Sequence, residues 1–229
     1  MTQQKTSLQP LDFIIIFIGG AFVTGWLQQL VLGAVPAFAE TTAGRIVTGL
    51  WLQDLIFLAF VALFLRGRHA RWRDIGVRRP EGRSPFLSAA VAGVLLYVLM
   101  LLFTFVLNAL IPGGLDAQNV SAYMQAGDAL WVKGFVLLTM GVFVPIVEEI
   151  VYRGYLYHSL CSYLSPERAM LFTAIIFGAI HFDWQRFLPL AVGGYLLNVI
   201  AVRHCSIFAS AISHGVWNTV MMLVYYHAL

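Results

Sequence analysis

Glu148-Glu149-Ile150-Val151-Tyr152-Arg153 sets two adjacent carboxylates and a guanidinium inside a strongly apolar run. On a helix each residue turns by about 100°, so Glu149 and Arg153 fall about 40° apart on one face. That spacing makes an i, i+4 ion pair. Glu148 stands about 140° from Arg153 and is a poor partner for it. The spacing therefore implies a division of labour. Arg153 holds Glu149 ionised and oriented, while Glu148 is left to face a cavity and act as a general base. The plainer alternative is a structural ion pair beside a glutamate that reaches for the membrane surface.

Two further groupings follow. In Phe177-Gly178-Ala179-Ile180-His181, Phe177 and His181 share a face at i, i+4, and Gly178 and Ala179 allow another helix to approach closely. In His214-Gly215-Val216-Trp217-Asn218, His214 and Asn218 share a face in the same way. Two N–H donors aimed at one point in a dry site stabilise a developing oxyanion. Taken singly, each grouping also reads as an interface histidine or a polar packing pair.

Their surroundings give these residues weight. The chain has 229 residues, of which 60% are hydrophobic and 11% charged, against roughly 25% charged in a soluble domain. Much of its surface must therefore face lipid. Ionisable residues inside membrane spans are costly, and each is a functional hypothesis. With span ends set aside, these are Asp54, Glu148, Glu149, Arg153, His181 and His214, with Asn218 as a polar companion. Asp54 lies beside Gln53 in mid-span and reads as a hydrogen-bonded interior acid rather than a catalytic part.

The elements that position these groups must be helices, because backbone polar groups in lipid have to be satisfied within the segment. A span needs about 20 apolar residues. Spans are expected over about Leu11–Val35, Ile46–Leu65, Pro85–Ile111, Trp131–Leu164, Arg168–His181, Phe187–Val202 and Ser206–Tyr226. A cleaved signal peptide is the rival reading of the first, since Ala37-Phe38-Ala39 resembles a cleavage site. Against it, the apolar region is far longer than the usual ~7–15 residues, and only Lys5 supplies positive charge ahead of it. The fourth span would reach ~51 Å if straight, beyond the ~30 Å hydrocarbon core. It must tilt, protrude or break, with Pro145 and Gly154 as candidate break points. The expected fold is all-α, a polytopic transmembrane bundle of seven or eight helices forming one integral membrane domain over 1–229, with a catalytic core at 131–226.

Arg66, Arg68, Arg71, Arg73, Arg78, Arg79 and Arg83 crowd the link between the second and third spans. Such a loop belongs in the cytoplasm. Alternation then puts the N-terminus inside and the 112–130 loop, with Asp116, Asn119 and Asp128, outside. Localisation in a prokaryotic plasma membrane is the expectation. Nucleic acid is not an expected partner, since no aromatic-interleaved binding fold accompanies the charge. Cys161 and Cys205 form neither a disulfide framework nor a metal-ligand pattern. Ser213 precedes His214 directly and points ~100° away, a poor nucleophile–base pair.

The ordered set EExxxR, FxxxH and HxxxN on three apolar helices resembles the motifs of the CAAX protease and bacteriocin-processing family, which includes the Ras-converting CAAX endopeptidase. The resemblance covers about residues 131–226, and each fixed motif position is matched. It implies an intramembrane endopeptidase in which Glu148 and His181 position and deprotonate a water. His214 and Asn218 would then hold the oxyanion, Glu149 and Arg153 would buttress the site, and Phe177 would pack near the substrate. It also implies a metal-free mechanism. Two histidines and a glutamate could still hold zinc, but no HExxH is present and each ligand would come from a different helix, so no cofactor is expected. The expected partners are the bilayer and a membrane-associated protein or peptide. A transporter, or an immunity or scaffolding factor, is the competing reading, with the charges lining a path or docking a partner. Tyr226-His227-Ala228-Leu229 does not read as a prenylation box.

Overall fold

The computed structural model describes residues 7–116 and 129–228. Lys5, Asn119, Asp128 and Leu229 lie outside the described residues. Within those residues all regular structure is helical, and seven principal helices follow the expected spans. They are α1 (Pro10–Ala34), α2 (Thr42–Gly67), α3 (Pro85–Leu110), α4 (Leu130–Leu160), α5 (Pro166–Ile180), α6 (Phe187–Arg203) and α7 (Ile207–Ala228). Prolines open α1, α3 and α5, where a missing N–H costs nothing. Ser165 caps α5 by accepting from Arg168 N.

Five of these segments are long and apolar enough to cross a membrane: α1, residues Thr48–Gly67 of α2, α3, α4 and most of α7. The protein is therefore an integral, multi-pass membrane protein. Helices α5 and α6 form where spans were expected, but at 15 and 17 residues they fall short of the ~20 that a full crossing requires. They pack on each other as a hairpin. Phe22, Phe105 and many other large apolar side chains point outward from the bundle, as a lipid-facing surface requires.

The fourth element does not divide. It continues through 31 residues and widens twice into π-type turns, at Thr139–Phe143 and Ile150–Leu156. The first lies immediately ahead of Pro145 and absorbs the disturbance that a proline brings to the preceding turn. The second covers the segment after the paired glutamates. Wide turns of this kind occur often at functional sites. Helix α4 is also the hub of the bundle, packing on α2, α5, α6 and α7.

Small residues allow these contacts. A Cβ on Gly215 would collide with the carbonyl oxygen of Gly141, so the backbones of α4 and α7 touch one residue after His214. A Cβ on Gly178 would lie 3.0 Å from Phe187 O and 3.1 Å from Ala191 N. The close helix approach expected at Gly178 is thus made by α6.

Candidate active site

The wide turn of α4 turns Arg153 inward, where it is almost completely buried. Its Nη1 donates to Glu149 Oε1 at 2.8 Å and its Nη2 donates to Gly194 O on α6 at 2.9 Å. The guanidinium carbon lies 4.4 Å from the centre of the Phe177 ring on α5. The i, i+4 pair read from the sequence is therefore present, and α5 and α6 brace it.

His214 enters from α7, where the Gly141–Gly215 approach brings it against α4. Its Nδ1 lies 3.0 Å from Glu149 Oε1. A carboxylate can only accept there, so Nδ1 carries the proton. The other ring nitrogen, Nε2, lies 3.8 Å from Glu148 Oε2, beyond a direct hydrogen bond. The two carboxylates thus flank one imidazole but differ sharply in access. The Glu149 side chain is 0% exposed, whereas that of Glu148 is 26% exposed. The pair is thus an enclosed acid beside an accessible one.

His181 stands at the C-terminal end of α5, on the open side of the cluster. Its Nδ1 lies 2.7 Å from Phe177 O, which again fixes the proton on Nδ1 and leaves Nε2 able to accept one. The Phe177 ring is 4.6 Å from the His181 ring and 6.0 Å from the His214 ring, so Phe177 links the two histidines. Tyr152 meets Phe177 edge-on at 5.1 Å. Asn218 faces α4 from the same side of α7 as His214, and its Nδ2 donates to Met140 O at 3.0 Å.

Glu148, Glu149, Arg153, Phe177 and His214 therefore form one contact network, joined by His181 through Phe177, with Asn218 one turn further along α7. Ser213 is turned away and donates to Ala89 O at 2.7 Å. Cys161 and Cys205 are free thiols. Among the described residues, no three histidine, cysteine, aspartate or glutamate side chains converge as a metal site.

Asp54 is interior as expected, but the hydrogen bonding expected of it is not made at one oxygen. It is buried on α2, and its Oδ2 has no hydrogen-bond partner among the described residues. It lies close enough to Glu148 for the two to interact electrostatically. Reading the sequence also passed over Asp12, set aside as a span-end residue. Asp12 is buried, accepts from Arg68 Nε at 2.9 Å and from Arg68 Nη2 at 2.7 Å, and receives the Tyr155 hydroxyl at 2.7 Å. The available signal was an acid on the third residue of a 25-residue apolar helix.

Residues 130–220 match the model of the family described as Type II CAAX prenyl endopeptidase Rce1-like, and all three motifs lie inside the matched segment. Over 111 residues the chain is 22% identical to the protein named "Putative membrane peptidase YdiL" from Bacillus subtilis (strain 168). That match covers 48% of this chain and 44% of the relative, so the chain spans less than half of the relative's length. No solved structure matches.

Proposed function

With the CAAX protease and bacteriocin-processing family as premise, supported by both matches, we propose that this membrane protein is an intramembrane endopeptidase using a glutamate-activated water. Glu148 accepts a proton from water as the oxygen attacks the scissile carbonyl, and His181, accepting through Nε2, positions that water. Glu148 then returns the proton to the leaving amine. His214 and Asn218 stabilise the tetrahedral oxyanion. For His214 to donate from Nε2 while Nδ1 serves Glu149, the ring must carry a proton on both nitrogens. Glu149 and Arg153 hold the imidazole in place, and Phe177 packs beside the reacting centre.

The observation that carries this reading is the pairing of an enclosed Glu149 with a partly accessible Glu148 on the two nitrogens of one histidine. No metal enters the proposed mechanism, because a carboxylate base supplies the nucleophile. Metal analysis and chelator sensitivity of the purified protein test that directly. The proposed substrates are membrane-associated proteins or peptides, prenylated tails being one class. The proposed setting is a prokaryotic plasma membrane with the N-terminus in the cytoplasm.

The test is a comparison of protein termini in membranes carrying the wild type or Glu148→Gln, paired with peptide cleavage by the reconstituted chain. New termini dependent on Glu148 are expected. Identical termini in both membranes, or solute uptake without cleavage, would remove the peptidase reading in favour of a transport or scaffolding role.

A further inference from the structure

The positive-inside tendency asks only that a cytoplasmic loop be basic. It does not ask that the loop be fastened down. Here Ile207 N donates to Gly76 O at 3.0 Å, Glu81 N donates to His204 O at 2.9 Å, and Arg78 Nε donates to Cys205 O at 2.6 Å. Ile75, at the end of a short 3₁₀ turn (Trp72–Ile75), is fully buried. The arginine loop is thereby fixed across the α6–α7 turn and the C-terminal end of α4. Between these three walls lies an open cavity of about 1250 Å³.

Five arginines line it, Arg68, Arg71, Arg73 and Arg78 from the loop and Arg153 from α4, against one acid, Asp74. Three of the five are matched: Arg68 by Asp12, Arg71 by Asp74 and Arg153 by Glu149. Arg73 has no hydrogen-bond or ion-pair partner among the described residues. Arg78 lies 3.9 Å from an exposed Glu81. Uncompensated positive charge therefore faces a concavity whose walls are already in place. Trp72, between Arg71 and Arg73, is exposed, and tryptophan is the residue that settles at headgroup level.

We infer that this cavity binds the phosphate-bearing headgroup of an anionic lipid from the adjoining leaflet. Guanidinium forks match phosphate oxygens in shape and charge, and basic pockets between membrane helices on the cytoplasmic side take anionic headgroups. Fixing the loop beforehand removes much of the ordering cost that binding would otherwise carry. A free phosphate ion shares the recognition chemistry. The exposed tryptophan on the same turn and the size of the cavity favour the lipid.

The experiment uses the full chain in nanodiscs of phosphatidylcholine with or without phosphatidylglycerol, followed by native mass spectrometry of the folded, monodisperse fraction. Preferential retention of phosphatidylglycerol is expected. It should fall roughly 25-fold in Arg71→Gln/Arg73→Gln and stay within about twofold in Arg79→Gln/Arg83→Gln, since each arginine near the surface contributes about a fivefold factor when it contacts the lipid and the two factors multiply. Both pairs remove the same charge from the same loop, but only the first lines the cavity. Arg73→Gln alone, which breaks no intramolecular pair, should show part of the loss and guards against misfolding of the double variant. Equal losses in both pairs would overturn the site in favour of diffuse loop charge. Thermal stabilisation by inorganic phosphate with no preference for phosphatidylglycerol would overturn the lipid as its occupant. Neither outcome bears on the peptidase reading.

Discussion

Two buried ionic clusters hang from one stretch of α4, only two residues apart, and they are built on different plans. At Tyr155 the cluster is closed. Asp12 takes Arg68 on both carboxylate oxygens and adds the tyrosine hydroxyl on one of them. At Arg153 the cluster is open-ended. Glu149 gathers Arg153 and His214 onto the single oxygen Oε1, Arg153 Nε has no partner among the described residues, and the contacts run on through His214 to a half-open Glu148. Unmatched buried polar capacity is costly, and departures from local satisfaction gather where structure serves chemistry rather than stability. The first cluster ties α1 to α4, and the second runs out to an accessible carboxylate.

The largest expected effect separates the two clusters outright. Glu148→Gln should lower peptide cleavage by about 10²–10⁴, the usual worth of a general base, with the thermal unfolding midpoint unchanged in detergent. His181→Ala should behave similarly. Asp12→Asn should do the reverse, lowering the midpoint while the folded fraction keeps its turnover. Destabilisation by Glu148→Gln equal to that of Asp12→Asn would erase the distinction.

Next in size is the buried pair itself. Arg153→Met leaves the Glu149 carboxylate buried without its main partner, and breaking such a pair costs about 3–5 kcal/mol. A double variant, Glu149→Gln/Arg153→Met, removes both charges and should recover much of the stability. Cleavage should remain lost, because His214 no longer has a carboxylate to hold it. Unfolding curves and cleavage assays on the three proteins would show whether stability and activity part company. Recovery of both together would make the cluster structural only.

A smaller, purely geometric effect is expected at Gly215. A methyl group there meets Gly141 O, so α7 must withdraw from α4, and overpacking of this kind costs about 1–3 kcal/mol. Because His214 is the neighbouring residue, Gly215→Ala should lower kcat in the folded fraction. An unchanged kcat would show that the contact between His214 and Glu149 does not depend on this approach.

Much of this was legible in the sequence, for physical reasons. Apolar runs bounded by proline report helix limits closely, so spans read as Leu11–Val35 and Pro85–Ile111 are found at Pro10–Ala34 and Pro85–Leu110. The pairing of Glu149 with Arg153 is local and follows from spacing alone. Other features depend on tertiary contact. Nothing in the composition of Ile150–Leu156 marks a wide turn, and of the tilt, protrusion or break that the length of α4 demanded, the candidate break points at Pro145 and Gly154 carry no break but lie beside or within wide turns. The approach of His214 to Glu149 needs Gly141 and Gly215 to meet, which spacing within one helix cannot reveal. Asp12 was discounted because a carboxylate at a span end usually reaches water, whereas here Arg68 folds back from the end of α2 to cover it.

The smallest effect tests the closed cluster by removing one atom. Tyr155→Phe deletes the hydroxyl that donates to Asp12 Oδ2 at 2.7 Å but leaves Arg68 to hold both carboxylate oxygens. The loss should be close to that of one hydrogen bond to a charged acceptor that keeps other partners, about 1–2 kcal/mol. Tyr155 lies two residues from Arg153 on the same wide turn, so any strain passed along α4 would reach Glu149 first. If the two clusters are as separate as their contacts indicate, turnover per folded molecule will match the wild type while the unfolding midpoint falls. A fall in kcat that outpaces the loss of folded protein would instead make Tyr155 and Asp12 part of the apparatus that holds Glu149 in place.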